Sequence, residues 1–233
     1  MKKFTHTSMV TLLVLTVIGL CFLPTPASAN HQKHFPAIRP MIFVHGGSGS
    51  GAQFESQAMR FTSNGYPQNY IRVLEYDSSS IATIMSQVWA NLDLLIADLL
   101  KETGADQVDL LGHSLGTSVS YGYLTSSPAR AAKVAHYVNI DGQANNPGVP
   151  TLALWAGNDP PNFGPPGPRT MVGATNVTIP GVPHIECATC APSFLKYTSS
   201  LPDTNLKQRR FCLNLLARLG LPEERSCFHR MWA

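Results

Sequence analysis

Excess charge of either sign is what this sequence lacks most. Its formal net charge is +3 over 233 residues. Lys2 and Lys3 lie in a leader expected to be removed, and without them the balance falls to +1. A chain so nearly neutral has no electrostatic footprint for nucleic acid or an anionic surface, and no nucleic-acid partner is expected. Cysteine is scarce too: of five, four (Cys187, Cys190, Cys212 and Cys227) fall in the last fifth of the chain. No internal repeat appears. The one glycine-rich loop, His45–Gly51, has neither the Gly-Lys-Ser/Thr ending of a phosphate loop nor the G-x-G-x-x-G pattern of a dinucleotide fold.

The N-terminus has the pattern of an export signal. Lys2 and Lys3 precede the apolar stretch Met9–Leu23, and Ala27-Ser28-Ala29 offers small residues for a signal peptidase. Cys21 follows Leu20, where lipoprotein processing requires a small residue, so no permanent membrane anchor is expected. Cleavage near Ala29 leaves residues 30–233, one domain's length, secreted or periplasmic. The four remaining cysteines form an even set suited to two disulfides in an oxidising compartment, with three connectivities open. A Cys₄ zinc site competes, since Cys187 and Cys190 make a C-x-x-C. Cys212 and Cys227, with fourteen residues between them, make no second close pair. The preferred role is to staple a Cys-rich C-terminal extension, from about residue 187, to the body.

Apolar runs at Met41–Val44, Ile71–Tyr76, Val108–Leu111, Ala135–Ile140, Leu152–Trp155 and Val177–Ile179 suit strands of a parallel sheet covered on both faces. Between the second and third, Met85, Val88, Trp89, Leu92, Leu95, Ile96 and Leu99 recur at helical spacing, stopping near Gly104. Gly51–Asn64 and Thr117–Thr125 read as further helices, and Pro160–Pro168 as a surface loop. The alternation predicts a doubly wound α/β domain with its ligand site at the carboxyl ends of the strands.

The third run leads into Gly112-His113-Ser114-Leu115-Gly116, a Gly-x-Ser-x-Gly pattern between strand and helix. A sharp turn there strains the central residue, and glycines on either side let the chain pass close to itself. The serine hydroxyl is lifted clear of the sheet beside the positive end of the helix. Ser114 is therefore the candidate nucleophile rather than an ordinary turn serine. The loop after the first strand can bring a backbone N–H to a tetrahedral oxyanion, which assigns an oxyanion hole to the amides of Gly47 and Leu115. His184, after the last strand, is the candidate base. His31 and His34 lie in the leader region, His45 and His113 in the two turns, His136 in a strand and His229 in the tail. For the acid, Asp141 after the fourth strand and Asp159 after the fifth both preserve the chain order Ser, Asp, His, and spacing alone does not choose.

These residues carry a resemblance. Phe43-Val44-His45-Gly46-Gly47, Gln53-Phe54-Glu55-Ser56-Gln57, Asn64-Gly65-Tyr66-Pro67, Glu75-Tyr76-Asp77, Gly112–Thr117, Arg130–His136, Asp141-Gly142 and Ala174–Val177 resemble blocks of the α/β-hydrolase lipases. The similarity is to the lipase of a hyperthermophilic archaeon and to the small lidless Bacillus lipases. It implies an α/β-hydrolase fold and a cofactor-free, metal-free serine esterase. In the archaeal arrangement the triad acid matches Asp141, in the Bacillus one it lies near Asp159, and the longer match favours Asp141. Only Asp77–Thr83 precedes the long helix, too little for the archaeal lid, and the tail after Phe194 is too short for a lipid-binding domain. The expectation is a minimal, lidless, monomeric carboxylic-ester hydrolase acting on a small-molecule or lipid ester. A polyester (polyhydroxyalkanoate-like) depolymerase and an acyltransferase are alternatives on the same triad. A non-catalytic apolar-ligand binder is the alternative outside enzymology, against which the complete Ser, His and Asp supply speaks.

Overall fold

Alternation along the first strand sorts the core into two layers. In the computed structural model, which describes residues 38–158 and 169–200, Met41–Val44 (β1) is buried along its whole length. Met41 and Phe43 point to one side, Ile42 and Val44 to the other, as the two-residue period of a strand requires. The further strands are Ile71–Leu74 (β2), Val108–His113 (β3), Val134–Ile140 (β4), Thr151–Ala156 (β5) and Thr175–Ile179 (β6). They form a six-stranded sheet in the order β2-β1-β3-β4-β5-β6, parallel at every pairing. The leader, Asp159, the Pro160–Pro168 loop, Cys212 and Cys227 lie outside the described residues.

On one face, Phe54 and the helix Glu55–Ser63 (α1) pack with the last described helix, Ala191–Ser200. Phe43 stacks on Phe54 at 4.5 Å, and Phe61 meets Phe194 edge-on at 4.9 Å. The opposite face is covered by Ile81–Thr103 (α2) and Leu115–Ser126 (α3). Val88, Leu92, Ile96 and Leu99 form the buried stripe of α2. This helix is long and apolar enough to cross a bilayer, but the stripe is spent on the sheet. Gly104 ends it in the left-handed region at φ 71°, returning its N–H to the Leu100 carbonyl at 2.9 Å. Asp93 on α2 receives Arg130 at 2.7 Å and the Tyr123 hydroxyl at 2.8 Å, tying α2 to α3 and to the short helix Pro128–Ala131 (α4).

The strands fall where the apolar runs placed them, with ends shifted by one or two residues. Gly51–Asn64 is a 3₁₀ turn, Gly51–Phe54, followed by α1. The helix expected from Met85 begins earlier. Asp77 accepts the Ser79 N–H at 3.0 Å and both following serine hydroxyls, turning the chain through Ser78–Ser80 directly into α2. No lid is inserted there. His184–Cys187 (α5) and Ala191–Ser200 (α6) follow, helices that the sequence reading did not place. Cys187, Ala188, Phe194 and Tyr197 are nonetheless fully buried in the core, so residues 187–200 pack with the body. The Cys190 thiol lies 3.2 Å from the Ser193 hydroxyl, and the pairing expected of the four cysteines involves two residues outside the described segments.

Phe61 links α1, Tyr66 and α6 from a fully buried position. Replacing it with Ala is expected to cost about 3–5 kcal/mol of unfolding free energy, read as a lowered urea midpoint with an unchanged slope.

Candidate active site

The turn after β3 is shaped by close approach. A Cβ on Gly116 would lie 2.3 Å from the Val44 carbonyl oxygen and 2.6 Å from that of His45, and one on Gly112 would lie 2.7 Å from the Gly116 carbonyl. No side chain fits at either position, so α3 begins directly beneath the end of β1. Ser114, between them, sits at φ 52° and ψ −120°, a conformation that costs a non-glycine residue on the order of 1–3 kcal/mol and tends to mark functional turns. Its N–H still donates to the Ile140 carbonyl at 3.0 Å, continuing the ladder toward β4.

Ser114 Oγ lies 2.9 Å from His184 Nε2. His184 Nδ1–H donates to Asp141 Oδ2 at 2.6 Å, a buried bond between residues 43 positions apart. Asp141 immediately follows β4 at φ 49°, and a Cβ on Gly142 would strike Thr117, so this strand end is pressed against α3. The other carboxylate oxygen, Oδ1, accepts the Ala156 N–H at 2.8 Å from the end of β5, and also the Arg169 guanidinium. Burial works to raise the Asp141 pKa. The bonds from His184 and Ala156 and the Arg169 charge outweigh it and hold the group below its ordinary value. His184 is brought to this point by Pro183, just before the first turn of α5.

The loop after β1 abuts the same turn. Ideal Cβ positions on Gly46 and Gly47 lie 3.1 Å from Ser114 Cβ and 3.8 Å from Leu115 Cδ2. Gln53 holds the two turns together, its Oε1 accepting the Gly46 N–H at 3.2 Å and its Nε2 donating to His113 Nδ1 at 2.9 Å. His113 Nε2–H then donates to the His184 carbonyl at 3.1 Å. Burial, with the neighbouring His184 adding to it, pushes the His113 pKa down to about 4, so this ring is a neutral spacer with both nitrogens engaged. His45 stacks on Tyr76 at 4.2 Å, and the Tyr76 hydroxyl donates to the His45 carbonyl at 2.6 Å. Both turn histidines thus order backbone.

The structure gathers Ser114, His184, Asp141, Gly47 and Leu115 at one end of the sheet. Asp159 is outside the described residues. His136 is elsewhere, paired with Asp109 at 2.8 Å. A cleft of about 700 Å³ opens beside the loop, lined by Gly47, Ser48, Gln53, Ser56, Ile185 and Thr189 among others. Among the described residues no group of three or more His, Cys, Asp or Glu is arranged to hold a metal. Sequence reasoning missed Gln53 and Arg169. Gln53 lay in a stretch read as helix and as one of the resembling blocks, with no role given to its side chain. Arg169 is 28 residues from the carboxylate it meets and belongs to no motif.

A family model for class 2 lipases matches residues 38–127, which include the loop after β1 and the Ser114 turn. Among solved structures, the chain is similar to a phospholipase from Legionella pneumophila at 11% identity and a TM-score of 0.53, covering 78% of this chain and 62% of that one. An extracellular α/β-hydrolase from a Paenibacillus species matches at 13% identity and 0.50, covering 69% and 97%. An esterase from a marine microorganism matches at 14% and 0.50, covering 70% and 95%. At such identities the likeness establishes the fold, which is that of the α/β-hydrolases.

The depressed His113 pKa has a consequence for stability. Unfolded, the ring takes up a proton near its ordinary value of 6.5; folded, it resists until about 4. Its contribution is therefore complete above pH 6.5 and lost as pH falls toward 4, up to roughly 3 kcal/mol. The Asp141 contribution is lost only at lower pH, below the ordinary carboxylate value. In His113→Asn, the urea midpoint is expected to fall less steeply between pH 6.5 and 4 than in the wild type. Parallel curves would remove His113 as the cause.

Proposed function

We propose that this lipase/esterase-type carboxylic-ester hydrolase acts through Ser114 as nucleophile, His184 as general base and acid, and Asp141 as the carboxylate that orients the histidine. The observation that carries this reading is the unbroken hydrogen-bond line from Ser114 Oγ through both nitrogens of His184 to Asp141. His184 Nε2 takes the proton as Oγ attacks the ester carbonyl, and the Gly47 and Leu115 amides receive the oxyanion. The imidazolium protonates the departing alcohol. A water, deprotonated by the same nitrogen, then releases the acid from the acyl-enzyme. Each oxyanion donor contributes about 2.7–4 kcal/mol to the barrier reduction in such sites. The reaction is written without cofactor or metal, and the enzyme works outside the cytoplasm after loss of residues 1–29.

The cleft supports a preference among esters. Its lining carries the hydroxyls of Ser48, Ser50, Ser56 and Thr189, the Gln53 amide and the Glu55 carboxylate, and Ile185 is its one large aliphatic residue. A long alkyl chain gains little burial against such walls, whereas a short or hydroxylated ester finds hydrogen-bond partners. The same feature favours one second reading, a polyester of short hydroxyacyl units, distinguished by release of hydroxy acid from polymer film.

Ser114→Ala is expected to abolish hydrolysis of p-nitrophenyl esters without lowering the melting temperature, and activity above a residual fraction would overturn the nucleophile assignment. Asp141→Asn should lower turnover about 10⁴-fold, with Asp159→Asn near wild type; the reverse ranking would move the acid to Asp159. Across an ester panel, kcat/KM should fall from butyrate to palmitate, and rates should rise smoothly through the solubility limit because no lid is inserted between β2 and α2.

A further inference from the structure

The triad acid has a cationic neighbour that ester hydrolysis by Ser, His and Asp does not require. The Arg169 guanidinium engages Asp141 Oδ1, the oxygen turned away from His184. It is held there from its other side, with Cζ 5.0 Å from the centroid of the Trp155 ring. The Arg169 side chain is 14% exposed and that of Asp141 not at all, so the pair sits where screening by water is weak. Arg169 thus arrives from the β5–β6 connection, and the carboxylate it meets stands at the end of β4.

We propose that Arg169 is a positioning residue that clamps the Asp141 carboxylate and tempers its pull on His184, keeping the histidine neutral and proton-accepting to lower pH. This inference rests on the catalytic reading of Ser114, His184 and Asp141. A lone buried carboxylate 2.6 Å from His184 Nδ1 strongly favours the imidazolium. A guanidinium on the far oxygen cancels part of that field while leaving the hydrogen bond, and hence the tautomer, in place. Ala156 N–H shares the same oxygen at 2.8 Å and contributes orientation without a full charge. Ser114 and the neutral ring of His113, whose centroid is 4.7 Å away, also face His184. On its own helix, Glu186 is exposed. Arg169 is a cation that bears on this histidine through its acid.

The test is the pH profile of kcat/KM for a p-nitrophenyl ester, whose acid limb reports the base in the free enzyme, in wild type, Arg169→Gln and Arg169→Lys. In Arg169→Gln the acid limb should move up by about one pH unit, and Lys, which keeps the charge, should largely restore it. An NMR titration of the His184 ring in the unliganded proteins should move by the same amount. An acid limb and a titration that stay in place overturn the proposal, and a lower plateau with an unmoved limb assigns Arg169 a purely structural role. If Arg169→Gln does not fold, Arg169→Met keeps the stem over Trp155 and removes the charge, with the same outcomes decisive. Should Ser114→Ala remain active, the catalytic reading falls first. Should Ser114→Ala be inactive while the acid limb and the titration of Arg169→Gln match the wild type, only the Arg169 inference falls.

Discussion

The approach of α3 to the end of β1 is the contact on which the site depends. Gly116 lies against the Val44 and His45 carbonyls with no room for a methyl group, so the first turn of α3 is driven under the loop that follows β1. That one closeness produces two results. It leaves Leu115 beside Gly47, and it forces Ser114 into the left-handed region between strand and helix. A larger residue at position 116 would push Ser114 away from the loop that follows β1. The sheet behind this contact is buried and parallel, and therefore stiff enough to hold it.

Strain is concentrated accordingly. Among the described residues the non-glycine residues at positive φ are Ser48, Ser114 and Asp141. One stands in the loop beside the cleft, one is the candidate nucleophile and one the candidate acid. Each conformation costs energy that its surroundings must offset. At Ser48 the N–H donates to the Ser78 hydroxyl; at Ser114 the ladder bond to Ile140 is kept; at Asp141 both carboxylate oxygens are engaged. The strained residues are thus among the bonded ones, as expected where rigid positioning is the purpose.

The parts legible in the sequence were those with a short-range physical signature. Apolar runs of strand length located all six strands, because a parallel sheet buried on both faces needs uninterrupted hydrophobicity. The stripe from Val88 to Leu99 identified α2, and the two glycines around Ser114 marked the turn. His184 followed from its place after the last strand. The helix from Ala191 is only ten residues long, and its buried face, Phe194, Tyr197 and Thr198, is too short a stripe to stand out beside the cysteines. Nor did any local pattern announce Gln53 or Arg169. Their roles come from neighbours 60 and 28 residues away, and a side chain's long-range partner leaves no periodicity. The choice between Asp141 and Asp159 was undecidable from spacing for the same reason.

With no lid inserted between β2 and α2, such a site manages water differently. Enzymes that close a lid dry the whole reaction centre, nucleophile included. Here β2 passes directly into α2 through a turn capped by Asp77, and the cleft lies along the loop after β1. The charged end of the relay is treated differently: the Asp141 side chain is fully buried, and that of His184 is only 11% exposed. In that dry pocket the carboxylate's field acts on the imidazole at short range with little screening. Dryness is therefore built permanently into the layer between β4, β5 and α5, behind the nucleophile. The orienting bonds from Asp141 to His184 and Ala156 thus lie behind Ser114, where they are formed without any segment closing over the serine.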